Sequence, residues 1–255
     1  MTEVARSGGI RSVSRVLDLL EVVARGGGQM ALSDIASTSG VPLPTVYRLV
    51  RTLVDRGYMR QLPNRRYALG SRLIPLGEVA GAMLGTWACP VLEDLVSELG
   101  ESANLAALDG ERAVYIGQVP SNHSMRMFTE VGCRVYLHCT GVGKAILSLL
   151  SDEQVRALVT RTGMPPQTPR TMTDPEKLIA ALDRIRRDGF AIDEGEQEVG
   201  VHCVAVPITG AGSRMAISVS GPAPRMTSDL VERAIPMLTE ASGLLAAELA
   251  QRPSA

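Results

Sequence analysis

The sequence predicts an α/β protein of the α+β kind. A winged helix-turn-helix occupies residues 10–70, a helix over 71–88 links it onward, and a mixed α/β domain covers 89–252. Three observations carry this. Two short helical patterns meet at a glycine between Ala31 and Gly57, basic charge is confined to the first 72 residues, and beyond residue 100 strand-like and helix-like runs alternate. With 255 residues and 45% apolar content, the chain is long enough to bury two cores.

In IRSVSRVLDLLEVVARGGG, Val13, Val16, Leu17, Leu20 and Val23 recur at helical spacing up to a triple glycine that no helix continues through, which predicts a support helix from Ile10. Its start carries Arg11, Ser12, Ser14 and Arg15, suited to phosphate and equally to an exposed helix end. A second helix is predicted to begin at Ser33, whose hydroxyl can accept from an orphan amide, and to stop at Gly40. A third opens at Pro42 and Pro44, tolerated where the first turn has no amide partners to lose. Val46, Leu49, Val50 and Leu53 make its apolar face. Thr45, Tyr47, Arg48, Arg51 and Thr52 make the opposite one, rich in the donors that reach phosphates and base edges in a major groove. Taken alone, that face also fits an ordinary solvated helix.

The surroundings favour nucleic acid. Residues 58–61 and 67–69 read as strands around Pro63-Asn64-Arg65-Arg66, a hairpin wing with two arginines at its tip. Residues 1–72 hold 11 arginines and no lysine against five acids, net +6, whereas the remainder holds 15 bases against 22 acids, net −7. Positive charge is thus gathered on the part with the helix-turn-helix, as phosphate binding requires.

The run from Ser71 to Gly100, broken by Pro75, Gly77, Gly85 and Pro90, predicts a linker helix and then the first helix of the second domain, with Trp87 at the junction. Leu73, Leu76, Val79, Ala80 and Met83 suit helix pairing between subunits or packing within one. Further on, strands are predicted at 104–108 and 113–119 around Asp109-Gly110, then at 125–128, 135–137, 190–193, 201–207 and 214–220. Helices are predicted over 143–150, from a Thr173-x-x-Glu176 capping box to Asp188, and over about 227–250.

No apolar run reaches the roughly 20 residues of a membrane span, and the N-terminal stretch lacks the apolar core of a secretion signal, so a cytoplasmic protein is expected. Cys89, Cys133, Cys139 and Cys203 show no CxxC spacing and read as free thiols. Neither metal nor cofactor is expected. An enzyme built on Cys203 with His202 or His138 is disfavoured, since neighbours on a strand point apart and no third group orients a base; a metal site from His138-Cys139 and His202-Cys203 lacks ligand spacing.

Three patches suit a small ligand. Gly141-Val142-Gly143 precedes a helix and offers bare amides, though such spacing also serves plain turns; Lys144 follows without the rest of a nucleotide P-loop. Ser218 and Ser220 share one side of a strand, as the wet face of a sheet also would. Asp193 and Cys203 bracket an acidic loop.

These blocks, SDIASTSGVPLPTVYRLVRTL, RRYALGSRL, LHCTGVGKAIL, RRDGFAIDEGEQEVGVHCVAVPI and SVSGPAPRMT, occur in one order along nearly the whole chain, which closely resembles the isocitrate lyase regulator (IclR) family of bacterial transcription factors. The resemblance implies a GAF-like effector domain, a homodimer or dimer of dimers on palindromic double-stranded operator DNA, and control by a small-molecule effector. It implies that Gly141, Val142, Asp193, Cys203, Ser218 and Ser220 hold the polar part of the effector and that Met127, Val135 and Val201 form its apolar wall. IGQVPSNHSMRMF is similar to the glyoxylate- and allantoin-responsive branch, with Ser124 standing where the glyoxylate-responsive regulator has leucine. A repressor is the reading; the family also contains activators, some of them answering to aromatic or other organic acids.

Overall fold

The arrangement of apolar side chains along the first helix decides how the N-terminal unit packs. In the computed structural model, which describes residues 10–126, 130–210 and 214–251, helix α1 spans Arg11–Arg25 and buries Leu19 and Val23. Val16 and Leu20 pack beside them, while Val13 and Leu17, expected on the same stripe, are exposed. The buried face is rotated because Leu19, not Leu17, meets the other two helices.

Helix α2 (Leu32–Ser39) and helix α3 (Leu43–Asp55) flank Gly40, whose φ of 67° is left-handed, a conformation glycine adopts without steric cost. The expected cap at Ser33 is not formed. Ala31 is the N-cap and makes no side-chain bond, so Ser33 lies inside the first turn with its hydroxyl on Asp34 Oδ1 at 3.3 Å. Ile35, Val46, Val50, Leu53 and Met59 complete the core with α1.

The wing is a three-stranded sheet. Strands β2 (Met59–Gln61) and β3 (Tyr67–Leu69) form the expected hairpin, and β1 (Gln29–Met30), two residues too short to register as a pattern, adds to the far side of β3.

The chain divides between residues 80 and 81 into two compact units. Helix α4 (Leu73–Leu84) runs through that point; Leu73 is half-buried, Ile74, Leu76, Val79 and Ala80 are exposed, and the side chain of Met83 lies outside the described residues. A short 3-10 turn (Thr86–Ala88) leads into α5 (Cys89–Leu99).

The second unit is built on one antiparallel sheet. Its strands are β4 (Ser102–Asp109), β5 (Arg112–Val119), β6 (Arg134–Val135), β7 (Ala191–Glu194), β8 (Val201–Ile208) and β9 (Met215–Pro222), in the order β6-β5-β4-β9-β8-β7. Alternation along each strand sends Leu105, Ile116, Val204, Val206, Ile217 and Val219 to a face covered by α5 and by α9 (Ser228–Gln251). The opposite face carries small residues, Ala106, Ala113, Ala191, Ala205 and Ala216, beneath α6 (Gly141–Ser148), α7 (Asp152–Thr162) and α8 (Pro175–Asp188).

Several local expectations change. Met125 lies in a bend and Arg126 in irregular chain rather than in a strand, and 127–129 lie outside the described residues. Strand β6 stops at Val135, because Thr140 Oγ1 donates to Tyr136 O and turns the chain into α6. That helix begins two residues early, at Gly141, because Thr140 caps it by accepting from Gly143 N at 3.1 Å. Asp174, not Thr173, caps α8, accepting from Glu176 N at 2.9 Å, with Pro175 in the first turn. Helix α7, which the sequence reading leaves unassigned, carries a full capping box between Ser151 and Gln154.

Since Leu147 in α6 is fully buried against both sheet and helices, Leu147→Ala is expected to lower the unfolding free energy by about 2–5 kcal/mol, read as a lower denaturation midpoint at unchanged slope.

Candidate functional site

In the N-terminal unit, α3 presents Tyr47, Arg48, Arg51 and Thr52 to solvent, with Thr45 half-buried at its start. Arg51 Nη1 donates to Tyr47 Oη at 3.2 Å, one turn back, which steadies a guanidinium that is itself fully exposed. At the wing tip Asn64 Oδ1 accepts from Arg66 N at 3.1 Å, and Arg65 takes φ 62°, the one left-handed non-glycine among the described residues. The two wing arginines are therefore not equivalent. Arg66 Nη2 donates to Gln29 O at 3.2 Å and ties the hairpin to β1, whereas Arg65 projects from the turn. A cleft of about 190 Å³ between α3 and the wing is lined by Tyr47, Arg51, Asp55, Gln61 and Tyr67, and Asp55, Gln61 and Tyr67 add to the residues the sequence points to.

In the second unit, register brings the scattered polar residues into rows. Asp193 pairs with Cys203, Cys203 with Ser220, and Ser220 with Ser102; one step along, Ala205, Ser218 and Asn104 line up. All lie on the α6 side of the sheet, as do Val201 and Val135, both partly buried, while Met127 is outside the described residues. The amides of Gly141 and Val142 open α6 directly above. A Cβ on Gly141 would stand 2.8 Å from Cys203 Sγ and 3.5 Å from Ala205 Cβ, so only glycine lets the helix start this close to the strand.

The row is buried and mostly satisfied. Asn104 Nδ2 donates to Ser220 Oγ at 3.1 Å, and Gln118 Nε2 donates to Asn104 Oδ1 at 3.2 Å. Asparagine and glutamine here extend the polar set beyond the sequence nominations; neither stands in a recognisable motif. Ser218 Oγ is fully buried with no well-formed hydrogen bond among the described residues, and the Cys203 thiol lies alongside.

Burial dominates the electrostatics. It raises Asp193 to about 6, against the opposing pull of the Glu196 amide at 2.7 Å and of Lys144. It pushes the thiols of Cys203 and Cys139 up to about 12, so neither is a nucleophile at neutral pH. His138 is lowered by burial and its Nε2 lies 3.2 Å from Pro165 O; His202 shares β8 with Cys203 but projects to the other face. Among the described residues no group of three or more His, Cys, Asp or Glu is placed to hold a metal ion, and no helix is long and apolar enough to cross a membrane.

The chain matches two family models. "IclR helix-turn-helix domain" covers residues 12–63, and "Bacterial transcriptional regulator IclR C-terminal" covers 79–246. The chain belongs to the IclR family of bacterial transcriptional regulators. It is 35% identical to the transcriptional repressor IclR of Escherichia coli K12 over 88% of this chain and 85% of that protein, and 34% identical to the repressor AllR of Salmonella typhi over 90% of each. Among solved structures, IclR of Thermotoga maritima superposes with a TM-score of 0.78 at 27% identity over 94% of this chain and 99% of that one. An IclR-family chain is a DNA-binding regulator and not an enzyme, in keeping with its protonated, buried thiols.

For this IclR-family chain the buried Asp193 has a consequence for folding. Its folded value lies above the ordinary carboxylate value of 3.8, so the native state binds more protons than the unfolded chain between about pH 4 and 6, and stability falls as pH rises through that window. Asp193→Asn keeps an acceptor for the Glu196 amide and removes the buried charge. It is expected to stabilise the chain at pH 7.5 by an amount on the order of 3 kcal/mol at most, with the gain vanishing near pH 4; melting temperatures of the two proteins across that range provide the measurement.

Proposed function

We propose that the chain is a repressor whose winged helices bind a palindromic operator in symmetric pairs, and that a small metabolite in the second unit changes that binding. The exposed donors Tyr47, Arg48 and Arg51 on α3 and the half-buried Thr45 at its start, with Arg65 and Arg66 in the wing, support the DNA half. Ser33 is exposed in the first turn of α2 and does not cap it, which supports a phosphate contact there. Arg48→Ala is expected to weaken operator binding by about 10- to 100-fold while leaving ligand binding intact. An unchanged gel shift would remove α3 as the recognition helix.

The Ser218 hydroxyl, fully buried beside the Cys203 thiol, carries the ligand half. A buried hydroxyl whose neighbour is a thiol, a weak hydrogen-bonding group, is poorly satisfied unless something better comes to fill it, and it stands in one polar face with Ser220, Asp193 and Cys203 under the Gly141 and Val142 amides. We read this face, walled by Val135 and Val201, as the effector site. Amides and hydroxyls suit a carboxylate or carbonyl, whereas Asp193, when ionised, needs a ligand donor. Glyoxylate, allantoin and related small oxoacids or ureides meet these demands, and a ureide, bringing both N–H and C=O, meets all of them. Such a ligand would act on the operator through different affinities for two arrangements of the chain.

A thermal-shift screen of glyoxylate, pyruvate, allantoin and allantoate, followed by calorimetry, tests this. Ser218→Ala combined with Ser220→Ala should lower the affinity of the binder at least tenfold (roughly 1.4 kcal/mol or more) and leave operator binding intact. Normal affinity in that variant would remove these hydroxyls from the site.

A further inference from the structure

Lys144, the lysine of the Gly-x-Gly-Lys segment, has no part in the roles above, yet its side chain is only 5% exposed. It sits in the second turn of α6, whose first turn supplies the Gly141 and Val142 amides. Its ammonium donates to Ile192 O at 2.6 Å and pairs with the Glu196 carboxylate. Glu196 N donates to Asp193 Oδ1 at 2.7 Å. Asp193 is thereby held between two anchors: the residue before it gives its carbonyl to Lys144, and the third residue after it gives an amide to Asp193 and a carboxylate to Lys144. Thr168 Oγ1 donates to Gly195 O at 2.7 Å and Thr171 Oγ1 donates to Glu196 O at 2.6 Å, pinning the turn from its other side.

A buried ion pair is a poor device for stability, since apolar residues of similar volume commonly serve as well or better. Its worth lies in where it puts things. We infer that Lys144 is a positioning residue for the ligand site: through Ile192 O and Glu196 it fixes the Asp193 carboxylate against the start of α6 and adjusts the charge beside it. This rests on the reading of Asp193 as a ligand-binding residue.

The ionisable groups around Asp193 are Lys144 from α6, Glu196 from its own turn, Cys203 from β8, Cys139 from the segment before α6, and Tyr115 from β5. The thiols are pushed up to about 12, and burial raises Tyr115 as well, so these three stay neutral between pH 4 and 8. Lys144 and Glu196 are left as the charged neighbours, and they act in opposite directions, Lys144 lowering the Asp193 value more than Glu196 raises it.

That opposition supplies a test. Carboxyl carbon-13 NMR of the full chain labelled at aspartate, with Asp193→Asn identifying the resonance, follows the midpoint directly. Lys144→Met should move it up and Glu196→Gln should move it down, each by roughly half a pH unit or more given the low dielectric of the site. The double variant Lys144→Met/Glu196→Gln, which removes both charges and so leaves neither buried alone, should move it up and, with circular dichroism unchanged, bind the probes allantoin or glyoxylate about tenfold more weakly than the parent, a size typical for losing an orienting partner. Opposite movements in the single variants support the inference, as does an upward shift in the double variant if Lys144→Met fails to fold. Midpoints that stay put, or move in one direction in all variants, overturn it. A parent chain that binds neither probe counts against the ligand-site reading, and the NMR midpoints still decide the role of Lys144.

Discussion

The close seating of α6 on the sheet is the constraint on which the second unit depends. All eight residues from Gly141 to Ser148 are buried, so this helix has no solvated side on which to hide a misfit. It is accommodated because the strands beneath carry alanine, serine and cysteine where the opposite face carries leucine, isoleucine and valine. Glycine at 141 removes the last obstacle, and glycine at 143 does the same against the Leu137 backbone, 2.4 Å from where a Cβ would stand. The same small residues leave room for polar groups. A face built of larger side chains would have packed more apolar area and offered a ligand nothing to bond.

Polarity buried in this way has to be balanced group by group. Asn104, Gln118 and Ser220 satisfy one another across three strands, and the Asp193 carboxylate takes an amide from its own turn. The exceptions are instructive because they cluster: among the described residues the Ser218 hydroxyl and one oxygen of Glu196 are buried without a well-formed hydrogen bond. Unsatisfied groups are rare in folded chains, and here they fall on the polar face and on the turn that carries Asp193. In the N-terminal unit polarity is handled in the reverse sense. The arginines are held out in water, steadied by light contacts to Tyr47 and to Gln29 O, and keep their charge for a phosphate backbone.

Much of this was legible in the chain before folding was considered. Helical spacing located α3, start and stop residues located α2 and α8, the DG turn located the β4–β5 hairpin, and Ser-x-Ser announced two hydroxyls on one side of β9. Register was not legible. That Asp193, Cys203 and Ser220 stand in one row follows from pairing between strands far apart in sequence, and so do Asn104 and Gln118, which no motif marks. The caps fall elsewhere than Ser33 and Thr173: the N-cap of α2 is Ala31, with no side-chain bond at all, and at α8 the adjacent Asp174 carboxylate takes the amides in place of Thr173. Helix α7 is only weakly marked in the sequence because DEQVRALVTRT has just Val155, Leu158 and Val159 on its buried side. The stripe on α1 was misplaced by one position for a similar reason: five consecutive residues from Val16 to Leu20 include four apolar ones, and only the partners of α1 decide which of them turn inward.

Strand β7 lies at the edge of the six-stranded sheet. The carbonyls of Ile192 and Glu194 on that edge are already taken, one by Lys144 and one by Arg170 at 2.9 Å. At the other edge β6 is two residues long. Open strands invite further strands, and copies of a protein left with such an edge can add to one another without limit. Side chains plugged into one margin and a stub at the other close off that route. With both margins blocked, the sheet remains a private element of its own chain.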